Sequence, residues 1–311
     1  MEKFFTLKII DWYSSHQRPL PWRQNPTPYH VLISEIMLQQ TQVPRVIEKF
    51  QEFTTKFPTI FDLANAPTAD VIQSWSGLGY NRRALLLHKF AQEVVKKYNG
   101  IIPNSAMELI KLPGIGPYTA GAIASFAYNQ PEPAIDVNVR RIYMRFFEGK
   151  DQGLPMGKKE EQELYGLIKS TIPDGKSSEL HNALMDFGSL VCTRDTPSCG
   201  KCHLQKSCKF FPLYNVKKEK ALFVMEKKEE KGVYENGRFI PNRIFRGKIV
   251  EFVRGNGGKE ILIQELGKKV KKDYIEENEK WLLDLIEKLN HENLIDYKIK
   301  ARKIKLVLPS S

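Results

Sequence analysis

All four cysteines of the chain fall within seventeen residues, as Cys192-x6-Cys199-x2-Cys202-x5-Cys208. Four soft ligands packed this tightly, with none elsewhere, point to one metal site rather than scattered core residues. A tetrahedral set of deprotonated sulfurs is how [4Fe–4S] centres are held. Structural zinc is the alternative, but zinc sites usually pair two short Cys-x2–4-Cys knuckles, and here only Cys199 and Cys202 make one. Two disulfides rank last, since no secretory signal is evident and cytosolic thiols stay reduced. Cysteine arithmetic therefore puts iron–sulfur first, with zinc and disulfides as competing readings.

A chain of 311 residues buries a large core and is expected to hold two or three domains. Its net charge of +12 and pI near 9.3 favour an acidic partner, nucleic acid first and anionic membrane second. The opening segment, Met1 to His16, carries Glu2, Lys3, Lys8 and Asp11 among apolar residues and reads as an amphipathic helix, not a signal peptide or a span. No later stretch approaches eighteen uninterrupted apolar residues. The expectation is a soluble intracellular protein without a membrane partner, cytoplasmic and nucleoid-associated if the source is prokaryotic. Nothing in the sequence indicates an oligomer, so a monomer is expected.

From Met1 to about Phe211 the pattern is helical, with apolar residues at helical spacing (Leu32, Ile33, Ile36, Met37; then Leu85, Leu86, Phe90, Val94) and Pro and Gly at the turns. Residues 212–243 are charged and irregular and read as a linker. Residues 244–311 then form a smaller unit. Helices are expected at Arg246 to Arg254, Ile263 to Val270 and around Trp281 to Leu289, followed by a basic hairpin from Tyr297 to Leu308. Three helices and a hairpin suggest a winged helix–turn–helix. Residues 211–311 hold 23 Lys and Arg against 16 Asp and Glu, a surplus of 7 out of the total 12, so this module could grip DNA backbone. A module that only packs or binds protein is the competing reading.

Leu112-Pro113-Gly114-Ile115-Gly116-Pro117-Tyr118 carries the second strong signal. Ser105 is placed to cap a helix running to Lys111, and Pro117 suits the first turn of the next helix. Gly114 and Gly116 between them allow positive φ and close backbone approach, and exposed amides there suit a DNA phosphate. The pattern is that of a helix–hairpin–helix, with an ordinary corner between two helices as the bland alternative. Eighteen residues past Tyr118, Asp136 follows Pro131 and Pro133 and is placed at the N-cap of a helix expected from Val137 to Phe147. Capping alone would explain it. A capping carboxylate is also fixed in place, which suits one that faces a cation.

Taken together, the helix–hairpin–helix, the downstream Asp136 and the cysteine spacing resemble the endonuclease III superfamily of DNA glycosylases over about residues 1–211. The resemblance implies a mainly α, two-lobed fold with a [4Fe–4S] loop at 192–208, acting on double-stranded DNA with a mispaired or damaged base. Bifunctional members carry Lys where this chain has Tyr118. A phenol forms no Schiff base, so a monofunctional, water-using glycosylase is expected. Ser34-Glu35-Ile36-Met37-Leu38-Gln39-Gln40-Thr41 is similar to the catalytic helix of MutY-type adenine glycosylases. By that resemblance Glu35 protonates the departing adenine, Asp136 stabilises or transiently bonds the sugar cation, and Tyr118 and Asn138 hold the pair. Gln39 and Gln40 would fill the gap left by the flipped base, Leu38 and the Trp22-Arg23 pair would wall the pocket, and Gly114, Gly116 and Tyr80 would meet DNA. Glu35 is also expected to be partly buried among Leu32, Ile36 and Leu38, which would raise its pKa.

Three departures stand out. Asn81 occupies a position where the family commonly has a second Tyr after Gly-Leu-Gly-Tyr, and Val137 replaces a common Gly. Residues 212–311 do not resemble the NUDIX-like domain that well-known members use to recognise 8-oxoguanine. The leading reading is hydrolytic release of adenine mispaired with 8-oxoguanine or guanine. A thymine or uracil mismatch glycosylase is the runner-up, and a non-catalytic iron–sulfur DNA-binding protein is the reading of another class.

Overall fold

The computed structural model describes residues 1–151, 156–218 and 230–309. They form two compact units, neither of them continuous in sequence. Met1–Glu35 joins Ile102–Glu226 in the first, and Ile36–Ile101 joins Lys227–Ser311 in the second. Among the described residues no strand precedes Gly232, as the helical periodicity predicts. No helix among them is long and apolar enough to cross a membrane.

The first unit is organised by the helix Glu2–Ser14, whose i, i+4, i+7, i+8 residues Phe5, Ile9, Trp12 and Tyr13 are all buried. Phe5 has no exposed surface, and its ring centroid lies 5.0 Å from that of Tyr143, 4.9 Å from Phe146 and 5.2 Å from Phe147. Leu180, Leu184 and Phe187 of the helix Ser177–Leu190 complete this core. The helix expected from Val137 to Phe147 is regular only to Tyr143. A π-helical turn, Met144–Glu148, follows, and the wider winding coincides with consecutive buried residues Arg145, Phe146 and Phe147.

The hairpin corner differs from expectation in two details. The helix that Ser105 opens is a single turn, Ala106–Leu109, and Ser105 caps it through its carbonyl rather than its hydroxyl. Gly114 takes φ +77°, whereas Gly116 has φ −95° and serves as N-cap of Pro117–Tyr128. A Cβ at Gly116 would meet nothing within 4 Å, so its peptide faces open space.

In the second unit, helices Val43–Lys56, Ile60–Asn65, Thr68–Ser74 and Arg82–Tyr98 precede the C-terminal module. Of the stretch expected to be a linker, residues 219–229 lie outside the described residues; before them a helix runs over Phe211–Lys218, and after them β1 (Gly232–Glu235) and β2 (Arg238–Pro241) form a hairpin. Asn236 and Gly237, with φ +49° and +75°, make its two-residue turn, a local signal that the surrounding charge runs obscured. The helix Asn242–Asn256, β3 (Glu260–Leu262), the helices Ile263–Val270 and Glu279–His291, β4 (Asp296–Lys300) and β5 (Lys303–Val307) follow. The three strands form an antiparallel sheet in the order β3-β5-β4. That is the order of a winged helix–turn–helix, with β3 added to the elements expected. Its core contains Phe245, Ile249, Leu266, Leu282, Ile286 and Ile304, and it also takes in Ile72 and Leu85 from the earlier helices.

Phe5→Ala would leave a hole among three aromatic rings. It should lower the stability of the intact chain by about 3–5 kcal/mol in denaturant titration followed by circular dichroism.

Candidate active site

Glu35 sits in the helix Pro28–Leu38 and is only 7% exposed. Its Oε2 accepts a 2.7 Å hydrogen bond from the Tyr118 hydroxyl, at the start of Pro117–Tyr128. Burial pushes the Glu35 carboxyl up to about 7, partly opposed by the Tyr118 bond, with the Asp136 charge adding to the rise. Tyr118 is itself driven well above the ordinary phenol range, by burial first and then by the two carboxylates. It is therefore a fixed neutral donor.

Asp136 is solvated differently. As N-cap of Val137–Tyr143, its Oδ1 accepts the backbone N–H groups of Asn138 at 2.8 Å and Val139 at 2.7 Å. Its Oδ2 accepts Asn138 Nδ2 at 2.8 Å. Arg141 Nη2 donates to Asn138 Oδ1 at 2.7 Å and to the Gly188 carbonyl at 2.8 Å, while its Nε donates to the Cys192 carbonyl at 2.8 Å. Burial raises the Asp136 pKa, and the three N–H donors and the Arg141 charge oppose that rise. Asp136, Asn138, Arg141 and the first cysteine of the loop thus form one hydrogen-bonded chain.

The segment leading to Asp136 is fixed from behind. His181 is completely buried, and its Nε2 accepts the Ala134 N–H at 3.0 Å, while Nδ1 lies 2.9 Å from both the Ser177 carbonyl and Ser125 Oγ. An accepting Nε2 requires the proton on Nδ1, and burial lowers the ring's pKa to about 4, so it is neutral. A Cβ at Gly121 would lie 2.3 Å from the Pro133 carbonyl, so only glycine lets this helix approach the segment. Val137, beside the carboxylate, is 62% exposed.

Arg23 is engaged elsewhere. Its Nη1 and Nη2 pair with the two oxygens of fully buried Asp186 at 2.8 and 3.0 Å, and Arg18 shares that carboxylate. Its positive field nevertheless reaches Glu35 and lowers its pKa slightly. Trp22 is buried. Leu38, Gln39, Gln40 and Tyr80 belong to the second unit, where Gln40 and Tyr80 line one groove. Both adopt left-handed backbone, φ +57° and +46°, which costs a non-glycine residue on the order of 1–3 kcal/mol and marks imposed geometry. Buried Arg83 imposes it, donating to the carbonyls of Ile36, Met37, Gln39, Leu78 and Gly79 and to Thr41 Oγ1, all at 2.6–3.1 Å. The roles of Arg83, Arg141, His181 and Asp186 escaped sequence reasoning because most of their partners lie dozens of residues away or on the backbone.

All four cysteines are unpaired and line one cavity with Arg145, Val191, Pro197, Phe210 and Phe211. Arg145 Nη1 lies 3.6 Å from Cys192 Sγ and donates to the Thr193 carbonyl at 2.7 Å. Burial pushes the Cys202 thiol up to about 11, and burial with neighbouring thiolate charge raises Cys199 and Cys208. Thiolates here require a cationic centre among them, and four free sulfurs around one apolar cavity fit an iron–sulfur cluster. Among the described residues no group of three or more Cys, His, Asp or Glu side chains, the four cysteines included, is placed to hold a metal ion.

Residues 33–170 match the model of the HhH-GPD superfamily base excision DNA repair proteins. The adenine DNA glycosylase of Buchnera aphidicola subsp. Baizongia pistaciae (strain Bp) is 35% identical over 278 residues, spanning 82% of this chain and 78% of that protein. The chain belongs to the adenine DNA glycosylase family. A second member, from Buchnera aphidicola subsp. Acyrthosiphon pisum (strain APS), is 41% identical over 223 residues, 69% of this chain and 63% of that protein. A solved thermostable thymine-DNA glycosylase covers 68% of this chain and 96% of its own, with TM-score 0.63 and 29% identity. As a member of the adenine DNA glycosylase family the chain is a base excision repair enzyme that hydrolyses N-glycosyl bonds.

A Cβ on Gly188 would fall 2.6 Å from Asn138 Cβ. Gly188→Ala should therefore displace Asn138 from Asp136 and lower single-turnover base release by about tenfold or more, with the melting temperature falling only a few degrees.

Proposed function

We propose that the chain releases adenine mispaired with 8-oxoguanine or guanine in double-stranded DNA, by hydrolysis and without cutting the strand. The observation that carries this reading is a carboxyl poised near neutrality, Glu35, beside a second carboxyl held by three N–H donors, Asp136. Adenine is a poor leaving group until its N7 takes a proton. Glu35 supplies that proton, the C1′–N9 electron pair leaves with the base, and the Asp136 carboxylate faces the resulting sugar cation. Water then adds at C1′, and its proton returns to Glu35. Tyr118 orients Glu35, and Asn138 orients Asp136. With a phenol at 118, no amine attacks the sugar. Gln39, Gln40, Leu38 and Tyr80 would contact DNA or shape the base pocket, Arg23, tied to Asp186, would act only as part of the pocket's wall, and the Gly114–Gly116 turn would receive a phosphate.

Removal of thymine is the second reading, on the likeness to the thymine-DNA glycosylase. A pyrimidine has no N7 to protonate, so it leaves the raised Glu35 without a task. A pure DNA binder would gain nothing from two buried acids facing a polyanion.

Cys192, Cys199, Cys202 and Cys208 would hold a [4Fe–4S] cluster, which when bound would tie the loop into one cross-linked scaffold. Residues 1–211 are then the catalytic module and 244–311 a DNA-binding winged-helix module, in a monomer of the cytoplasm or nucleoid.

Single-turnover assays should show adenine release opposite 8-oxoguanine and guanine, with no strand cleavage before alkali and no release of thymine or uracil. Thymine release alone would reverse the assignment. Because Glu35 must be protonated, the rate should fall as pH rises through about 7. Glu35→Gln should lower it about 100- to 10,000-fold. A carboxyl whose folded pKa is raised stabilises the fold below its unfolded pKa and loses that contribution as pH rises through the folded value. The parent's melting temperature should thus drop between about pH 5 and 8 relative to that of Glu35→Gln. Anaerobically purified protein should show a broad charge-transfer band near 400 nm and about four iron atoms per chain, both lost in Cys202→Ser.

A further inference from the structure

Arg45, Leu78, Tyr80 and Arg82 line one side of a groove in the second unit, and Arg243, Arg246 and Gly247 of the helix Asn242–Asn256 line the other. Its charged lining is five arginines, counting Arg83, against Glu292, which pairs with Arg246, while Arg243 pairs with exposed Glu230 at 3.3 Å, so a phosphate would take over from a carboxylate at both. Tyr80 is 42% exposed in its strained conformation, with the guanidinium carbons of Arg83 and Arg243 at 5.7 and 5.9 Å from its ring centroid. Arg243 Nη1 donates to the Tyr80 hydroxyl at 3.3 Å. Cations gathered around an exposed ring, over an apolar floor that includes Leu289 and Leu294, match a ligand carrying both phosphate and a flat base.

Resting on the reading of the chain as a DNA enzyme, we propose that this groove holds a nucleotide of the bound DNA, with phosphate on Arg243, Arg246, Arg45 and Arg82 and a base against Tyr80. The winged-helix module thereby binds DNA through its first helix and not through its wing. The two walls are joined at a fixed register. Arg254, on the same helix as Arg243, donates to the Ile72 carbonyl at 2.7 Å and to Asn81 Oδ1 at 3.0 Å, and Ser76 Oγ donates to Glu251 at 3.0 Å. The wing, by contrast, carries exposed Lys298, Lys300 and Lys303, but none of them reaches the groove.

The test is equilibrium binding of the full chain to a fluorescent duplex carrying a non-hydrolysable adenosine analogue opposite guanine, at several salt concentrations. Arg243→Gln with Arg246→Gln should weaken binding about tenfold or more and reduce the salt slope by about 2. Exposed Arg82→Gln, which disturbs no packing, should reduce that slope by about 1. Tyr80→Leu should weaken binding at unchanged slope. The wing variant Lys298→Gln, Lys300→Gln, Lys303→Gln should bind within about twofold of the parent, although simple charge counting would remove about 3 from its slope. Unchanged slopes for Arg82→Gln and the double variant, or a loss carried by the wing variant instead, would overturn the proposal. Base release is read separately. A parent that releases no base while the groove variants still lose affinity would sink the glycosylase reading and leave the groove standing.

Discussion

The site depends on keeping two carboxyl groups out of water while solvating them unequally. Both are driven toward the neutral form by burial, yet Asp136 has three N–H donors and the field of Arg141, whereas Glu35 has one hydroxyl. Donors to a carboxylate favour its anion, so one proton shared between such neighbours resides on Glu35. Had the donors been distributed the other way, the neutral acid and the anion would exchange places. The capping geometry of Val137–Tyr143 is therefore part of the acid–base assignment and not only a helix terminus.

Guanidinium groups do much of the remaining construction. Arg83, Arg141, Arg145 and Arg254 are largely buried, and each donates to backbone carbonyls. A planar fork with five N–H groups can tie several carbonyls of irregular backbone together, which lysine's point charge cannot do. The segments so tied are the last turns of helices and the loops that follow them. They are the Gln39–Gln40 turn with the Leu78–Gly79 loop, the cysteine loop, and the Ile72–Asn81 approach. Burial lowers the Arg83 pKa to about 10, which still leaves it charged at neutral pH.

This division of labour explains what the sequence disclosed. Asp136 was legible from local spacing as the cap of its helix, whereas Glu35, Tyr118 and Asn138 were singled out by resemblance to MutY-type glycosylases; the structure joins Tyr118 to Glu35 and Asn138 to Asp136. The winged-helix order was legible from helical periodicity and the alternation after Tyr297. Asn236-Gly237 announced its hairpin, but the lysine and glutamate runs around it read as linker. The arginine anchors left no pattern, since their acceptors are carbonyls and a carbonyl has no residue identity. The short β3 was equally silent, because three residues give no period and its place is set by pairing with β5. His181 looked like any helix histidine. Its task, accepting one N–H from Ala134, exists only once Pro117–Tyr128 and Ser177–Leu190 have packed.

The departure at Asn81 has a structural cause of the same kind. Asn81 is 8% exposed, and its side-chain oxygen receives the guanidinium of Arg254, which belongs to the C-terminal module. A tyrosine here would carry its acceptor oxygen at the far end of the ring, and in so enclosed a place the ring would have to displace the arginine. The family's common second Tyr is thus incompatible with this docking, and the docking is what brings Arg243 to Tyr80. The unusual residue in the catalytic half and the unusual C-terminal module are then two sides of one substitution. At 81 the chain has, in place of a second tyrosine, a side chain that anchors the helix carrying Arg243 and Arg246 beside Tyr80. With Ile72 and Leu85 lying in the module's own hydrophobic core, that arrangement cannot be removed without exposing apolar surface on both partners.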